Sequence, residues 1–262
     1  MKYSASAWSR WCFLVCFVLA GRLAGTTDAA QPAQPAAGHP QIAPAASEIM
    51  RQMSDYLGGL KAFSVHCVTA SEVRLVTGQK IQYLSAFDAT VRRPDGFHSR
   101  RLGLDEWQLF YDGKTYAAYS VQANCYATAS IPGGLDRVLD ELQQRFGTEL
   151  PGSDLLYSNI FDGLMPQVIE ALYLGPEEIE GVITHHLAFR TPEVDWQIWI
   201  ADGPQPLPYR YLITSKNEPG ALQDCVELSK WNTAPKIDAA RFVFSPPTGA
   251  KKVKFLPAAQ PK

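Results

Sequence analysis

The stretch FSVHCVTASEVRLV (63–76), followed by TGQK (77–80) and IQYLSAFDATVR (81–92), decides how this chain is read. Apolar residues alternate with polar ones along both arms, as in Phe63, Val65 and Cys67, then Ile81, Tyr83 and Phe87. A period of two is the signature of a strand with one buried face. Thr77-Gly78-Gln79-Lys80 has the length and composition of a hairpin connection. The same pattern continues downstream. Pro94-Asp95-Gly96 turns the chain into Phe97–Leu102, and Asp112-Gly113-Lys114 separates Trp107–Tyr111 from Thr115–Val121, with Cys125–Ser130 next. Later strands are expected at Gly181–Arg190, Val194–Ala201, Leu207–Ser215 and Leu222–Trp231, with short ones at Phe242–Phe244 and Val253–Phe255. Consecutive strands on short loops pair as antiparallel neighbours. Nothing alternates strand with helix, so a doubly wound fold is excluded.

Three segments switch to a helical period. Ile49, Met53, Leu57 and Leu60 form a stripe over Ser47–Leu60 that stops at Gly58-Gly59. Leu135, Val138, Leu139, Leu142 and Phe146 form a second, ended by Gly147. Ile160, Phe161, Leu164, Met165, Val168, Ile169 and Leu172 suggest a third helix over Asn159–Leu172. The fold class is therefore mainly β with inserted helices. One large antiparallel sheet curls, and the N-terminal helix and a mid-chain helical insertion cover it.

The 262 residues are 46% hydrophobic and 19% charged, an ordinary globular balance. Net charge is −2, and the basic pairs Arg92-Arg93, Arg100-Arg101 and Lys251-Lys252 are short and scattered. No nucleic-acid partner is expected. Lys2 and Arg10 precede an apolar run, Trp11 to Ala20, that is too short to span a bilayer. This reads as a secretory signal over residues 1–29, with cleavage after Ala20 or Ala29, and export to the periplasm. Residues 30–46, with Pro32, Pro35, Pro40 and Pro44, read as a flexible linker. The folded domain is expected over 47–256 and a flexible tail over 257–262. Cys67, Cys125 and Cys225 remain after cleavage, and either one disulfide or three buried thiols fits their spacing.

Taken in order, several local motifs resemble a known superfamily. They are Val91-Arg92-Arg93-Pro94, Phe97, Asp112-Gly113-Lys114-Thr115 and Phe242-Val243-Phe244-Ser245-Pro246-Pro247-Thr248-Gly249. Between them lie Pro151 with Leu155-Leu156, Gly181, His186-Leu187, Trp199-Ile200, Asp202 and Leu207-Pro208-Tyr209-Arg210. The set is similar to the LolA-like superfamily of outer-membrane lipoprotein carriers. Within it, residues 45–256 look like the periplasmic family called domain of unknown function 2092. The resemblance implies an unclosed β-barrel whose concave face holds an apolar cavity under a helical lid. It also implies that Arg93 is the lid latch, through its Arg-Pro motif.

Candidate cavity walls are Phe63, Val65, Ile81, Tyr83, Phe87, Phe110, Tyr119, Trp196, Ile198, Leu212 and Ile213. Candidate lid residues are Leu139, Leu142, Leu164, Met165, Val168 and Ile169. The expected ligand is a lipid or acylated molecule, bound by a monomer without catalysis, cofactor or metal. The competing expectation is a packed barrel that serves as an envelope interaction or sensor domain with a protein partner. Catalytic readings are thin. His185 and His186 are strand neighbours and point to opposite faces, as do His66 and Cys67. Glu177, Glu178 and Glu180 are expected in a solvated loop, and Asp195 and Asp202 at hairpin ends. No Gly-x-Ser-x-Gly, HExxH or P-loop pattern occurs.

Overall fold

The computed structural model describes residues 42–146 and 151–256. The expected signal segment and the tail from 257 lie outside the described residues. After helix α1 (Pro44–Gly59) come six strands: β1 (Ala62–Arg74), β2 (Lys80–Arg92), β3 (Gly96–Leu102), β4 (Trp107–Tyr111), β5 (Thr115–Ser120) and β6 (Cys125–Ser130). Helix α2 (Leu135–Phe146), a 3-10 turn (Ser153–Leu156), α3 (Ile160–Leu164) and a second 3-10 turn (Met165–Gln167) follow. The second set of strands is β7 (Glu170–Ile179), β8 (Val182–Arg190), β9 (Val194–Ala201), β10 (Pro208–Ser215) and β11 (Gln223–Asn232). A 3-10 turn (Ala239–Phe242) leads to β12 (Lys251–Lys252).

All twelve strands form one sheet in the order β12-β6-β5-β4-β3-β2-β1-β11-β10-β9-β8-β7. Two meanders, β1–β6 and β7–β11, are thus joined where β1 pairs with β11, for example at Cys67↔Leu228. Every pairing is antiparallel except β12 on β6. The outermost strands, β12 and β7, do not meet, so the sheet is an open half-barrel, mainly β with helices inserted, as expected. In β1 the side chains of Phe63, Val65, Cys67 and Thr69 are buried while their neighbours are half-exposed. This alternation marks the concave face.

Helix α1 covers the β7–β9 part of that face. Pro44 begins it, where a missing N–H costs nothing, so residues 44–46 belong to the helix rather than to the linker. Ala46, Met50, Met53 and Leu57 are fully buried and recur at helical spacing. They meet Leu187, Phe189, Trp196, Ile198 and Tyr211 in one core, where Phe189 and Trp196 stack at 3.9 Å. The convex side of β4–β6 is covered by the C-terminal segment, whose Phe244 packs on Phe110, Tyr119 and Tyr126.

The third helix is far shorter than its sequence stripe suggests. Pro166 cannot donate to the preceding turn, and α3 ends at Leu164. By Ile169 the backbone N–H already donates to the Arg190 carbonyl. Val168 and Ile169 therefore lead out of the turn, Ala171 and Leu172 lie in strand β7, and Glu177 and Glu178 lie on that strand rather than in a loop. Phe242 closes a 3-10 turn capped by the Asp238 side chain, where a strand was expected. The last strand is Lys251–Lys252, ahead of its expected place.

Candidate functional site

The concave face of β1–β4 and β11 is not filled. A cavity of about 460 Å³ lies there, within the range of small-molecule sites. Its walls are Phe63, Val65 and Cys67 on β1; Phe87 and Ala89 on β2; Phe97 and Ser99 on β3; Trp107 and Leu109 on β4; and Val226, Leu228 and Trp231 on β11. Thr69, Ser71, Ser85 and Arg101 continue the wall toward the far end. The roof is the segment Pro151–Leu156.

That roof has no helical stripe of its own and is held from outside. Gly152 adopts φ +80°, and a Cβ there would stand 3.3 Å from Val226 Cγ2. Only glycine lets the roof turn this tightly onto the wall. Leu155 drops into the cavity with 3% exposure. Arg93 Nη1 donates to the Leu156 carbonyl at 2.7 Å and Nη2 to the Tyr157 carbonyl at 3.2 Å. Its Nε is buried with no partner among the described residues. Burial pulls the Arg93 pKa down, and nearby Asp136 pushes it back up. On the α2 side, the Ser158 N–H donates to Asp136 at 2.9 Å, and the Tyr157 hydroxyl to Asp140 at 2.8 Å. Burial first, and then this hydrogen bond, hold the Tyr157 phenol protonated well past its usual range. Gly58 of α1 carries no Cβ because one would stand 2.3 Å from the Ser158 carbonyl oxygen.

Of the expected wall residues, Phe63, Val65 and Phe87 line the cavity. Ile81 and Tyr83 share the concave face but lie further out along the β1–β2 hairpin, where Tyr83 is 60% exposed. Trp196, Ile198 and Ile213 pack into the core with α1 instead. Phe110 and Tyr119 face the other way, against Phe244, and Leu212 pairs with Cys225 on that same outer face. Among the expected lid residues, Leu142 and Val168 are buried, Leu139, Leu164 and Met165 are half-buried, and Ile169 is exposed. None of these six is among the residues lining the cavity. Ala89, Phe97, Leu109, Leu228 and the roof leucines went unread as cavity residues. Carrying the phase of Phe63 and Val65 across each hairpin would have found the first three.

The polar clusters are structural in form. Glu177 accepts from Trp199 Nε1 and pairs with His186 Nδ1, both at 2.8 Å. The Trp199 and His186 hydrogen bonds hold its carboxyl below the usual range. His185 points to the opposite face, toward Tyr173 and Asp202. Asp195 is tied to Arg190 and Lys216. Cys67, Cys125 and Cys225 are separate thiols, and burial pushes Cys67 up to about 12, so it stays protonated and unreactive. Among the described residues, no group of three or more His, Cys, Asp or Glu could hold a metal ion, and no helix is long and apolar enough to cross a membrane.

Residues 46–256 match the family described as "Predicted periplasmic protein (DUF2092)". The chain belongs to this family. No curated protein matches it. Among solved structures it is similar to an uncharacterized conserved protein from Thermus thermophilus, at 12% identity and TM-score 0.45 over 80% of this chain and 99% of that one. It is similar to LprF from Mycobacterium bovis, at 16% identity and TM-score 0.45 over 81% and 100% of the two chains. It is also similar to the lipoprotein LppX of Mycobacterium tuberculosis, at 17% identity and TM-score 0.41 over 74% and 99%.

Proposed function

We propose that this protein is exported to the periplasm and holds a lipid or acylated ligand in the β1–β4 cavity without catalysing a reaction. The observation that carries this reading is an apolar void of about 460 Å³ under a roof tied by side chains rather than packed by a helix. Arg93 is the latch of that roof: losing its two hydrogen bonds loosens Leu156 and Tyr157 from the sheet end, while Tyr157 stays tied to Asp140 and Asp154 accepts from Tyr211. The description of the family as periplasmic and the basic-then-apolar segment Lys2–Ala20 support export. Each buried CH₂ group contributes about 0.8 kcal/mol. About ten of them give roughly 8 kcal/mol, close to micromolar affinity before ordering costs.

A second reading has its own observation. Residues 80–85 of β2 pair with β1 but extend beyond β3, and Tyr83 and Leu84 there are exposed. A free strand edge with exposed apolar side chains suits an envelope protein that adds a strand. Fluorescence titration with cis-parinaric acid separates the two. The first reading expects saturable micromolar uptake that Ala89→Phe abolishes by filling the cavity. No uptake by the wild-type protein would contradict it and favour the edge.

A further inference from the structure

The cavity changes chemistry along its length. Strand register arranges its wall in rungs: Phe63 with Val91 and Phe97, then Val65 with Ala89 and Ser99, then Cys67 with Phe87 and Arg101. Beyond these come Thr69 with Ser85, and Ser71 with Tyr83. The rungs at the Arg93 end are aromatic and aliphatic and those at the far end carry hydroxyls; the roof reaches from Arg93, which holds Leu156, to the Thr69 rung, where Gly152 lies against Val226. Four steps of two residues each span roughly 27 Å. Arg101 sits at the third of these rungs, so the apolar wall between it and Phe63 spans roughly 13 Å.

Arg101 is the one charged residue lining the cavity among the described residues. Its partner is Asp105, at 3.2 Å, in a pair whose side chains are 40% and 62% exposed. Such a pair is weak and exchangeable. Asp224 stands in register with Ser71 on the neighbouring strand but does not line the cavity. A carboxylate or phosphate entering beside Arg101 would exchange for Asp105 and find the hydroxyl of Ser85 on the next rung.

We infer that the ligand is an amphiphile with an anionic head, its apolar part directed toward Phe63 and Leu155 and its head beside Arg101 and Ser85. This rests on the cavity reading given above. Neutral or cationic heads would leave Arg101 paired with Asp105 and gain nothing from the rim.

Calorimetric titration of the full chain with palmitate, hexadecanol and hexadecyltrimethylammonium, below their aggregation limits, tests it. Palmitate is expected to bind about five- to tenfold more tightly than hexadecanol, as a half-exposed charge-assisted contact allows. Arg101→Glu should abolish that preference and favour the cationic probe, with unchanged thermal unfolding as the control for folding. Palmitoyl lysophosphatidylglycerol then assigns the head: tighter binding than palmitate marks phosphate, and weaker binding marks carboxylate. Equal affinity for palmitate and hexadecanol would overturn the inference. If hexadecanol binding is still lost in Ala89→Phe, the cavity reading survives that result. Failure of every probe in the wild-type protein would remove both.

Discussion

The two halves of the sheet present the same kind of concave face and cover it in opposite ways. Over β7–β9 lies α1, whose Met50, Met53 and Leu57 interlock with Leu187, Ile198 and Tyr211. Over β1–β4 lies a 3-10 turn held by Arg93, Asp136 and Asp140 at its margin. A helix carries a stripe of side chains that can fill a concavity. A short irregular roof sends down Leu155 and little else, and the space beneath it stays open. The half-barrel is thus one fold with a packed, structural half and an open half, the receptive one in the function proposed above.

The comparison makes energetic predictions that run from large to negligible. Met53→Ala removes a fully buried side chain from the packed half and should cost about 2–5 kcal/mol in denaturant unfolding. A loss below about 1 kcal/mol would mean that the α1 half is not packed as described. His98 lies on the convex side of the receptive half, buried beside Phe110. Burial, then Arg241, hold it down to about 4 against 6.5 for the free side chain. The fold therefore keeps the neutral imidazole. Its contribution is complete above pH 6.5 and is lost as pH falls from 6.5 toward 4, where the unfolded chain binds the extra proton. The loss should reach roughly 2–3 kcal/mol. Melts at about pH 7 and about pH 4.5 check this: His98→Phe should remove that part of the acid sensitivity, and an unchanged pH slope would contradict it.

Arg93→Leu should loosen the roof and leave the α1 half intact. Two charge-assisted hydrogen bonds at a partly exposed margin are worth about 2 kcal/mol, so the roof should open roughly thirtyfold more often. Cys67 reports the opening, because its buried thiol is unreactive while the roof is shut. Maleimide labelling should accelerate by that factor with little change in melting temperature; equal labelling rates would show that Arg93 does not latch the roof. The smallest expected change is that of Ala89→Phe. Placed in a void, the ring should alter stability by less than about 0.5 kcal/mol, whereas in a filled core overpacking would cost about 1–3 kcal/mol. A cost in the upper range would mean that the two halves are alike.

The fold was largely legible because its strands alternate cleanly and its hairpins carry recognisable turns. Strand β7 was not, since Val168, Ile169 and Leu172 complete a helical stripe begun at Ile160. Pro166, the residue that breaks the stripe, also fits the first turn of a helix. The site was legible only in part. Phe110 and Tyr119 are as apolar as Leu109 and as well placed along their strands, yet they point outward to Phe244. Pairing register, which no single strand reveals, decides between them. Trp196 and Ile198 face the right way but lie where α1 fills the space. A void is an absence of side chains, and it was roofed by Pro151–Leu156, a segment with no period to announce it. Arg93 was singled out by the resemblance of its Arg-Pro motif rather than by any pattern of its own, and the structure places it against the Leu156 and Tyr157 carbonyls.

Mass spectrometry of the protein purified gently from periplasm, first native and then after solvent extraction, asks whether the receptive half is occupied in the cell. A stoichiometric acyl-bearing ligand, released on extraction and missing from Ala89→Phe, is the predicted result. A clean apo mass from every preparation, with no uptake of acyl probes afterwards, would contradict the reading of this cavity as a binding site.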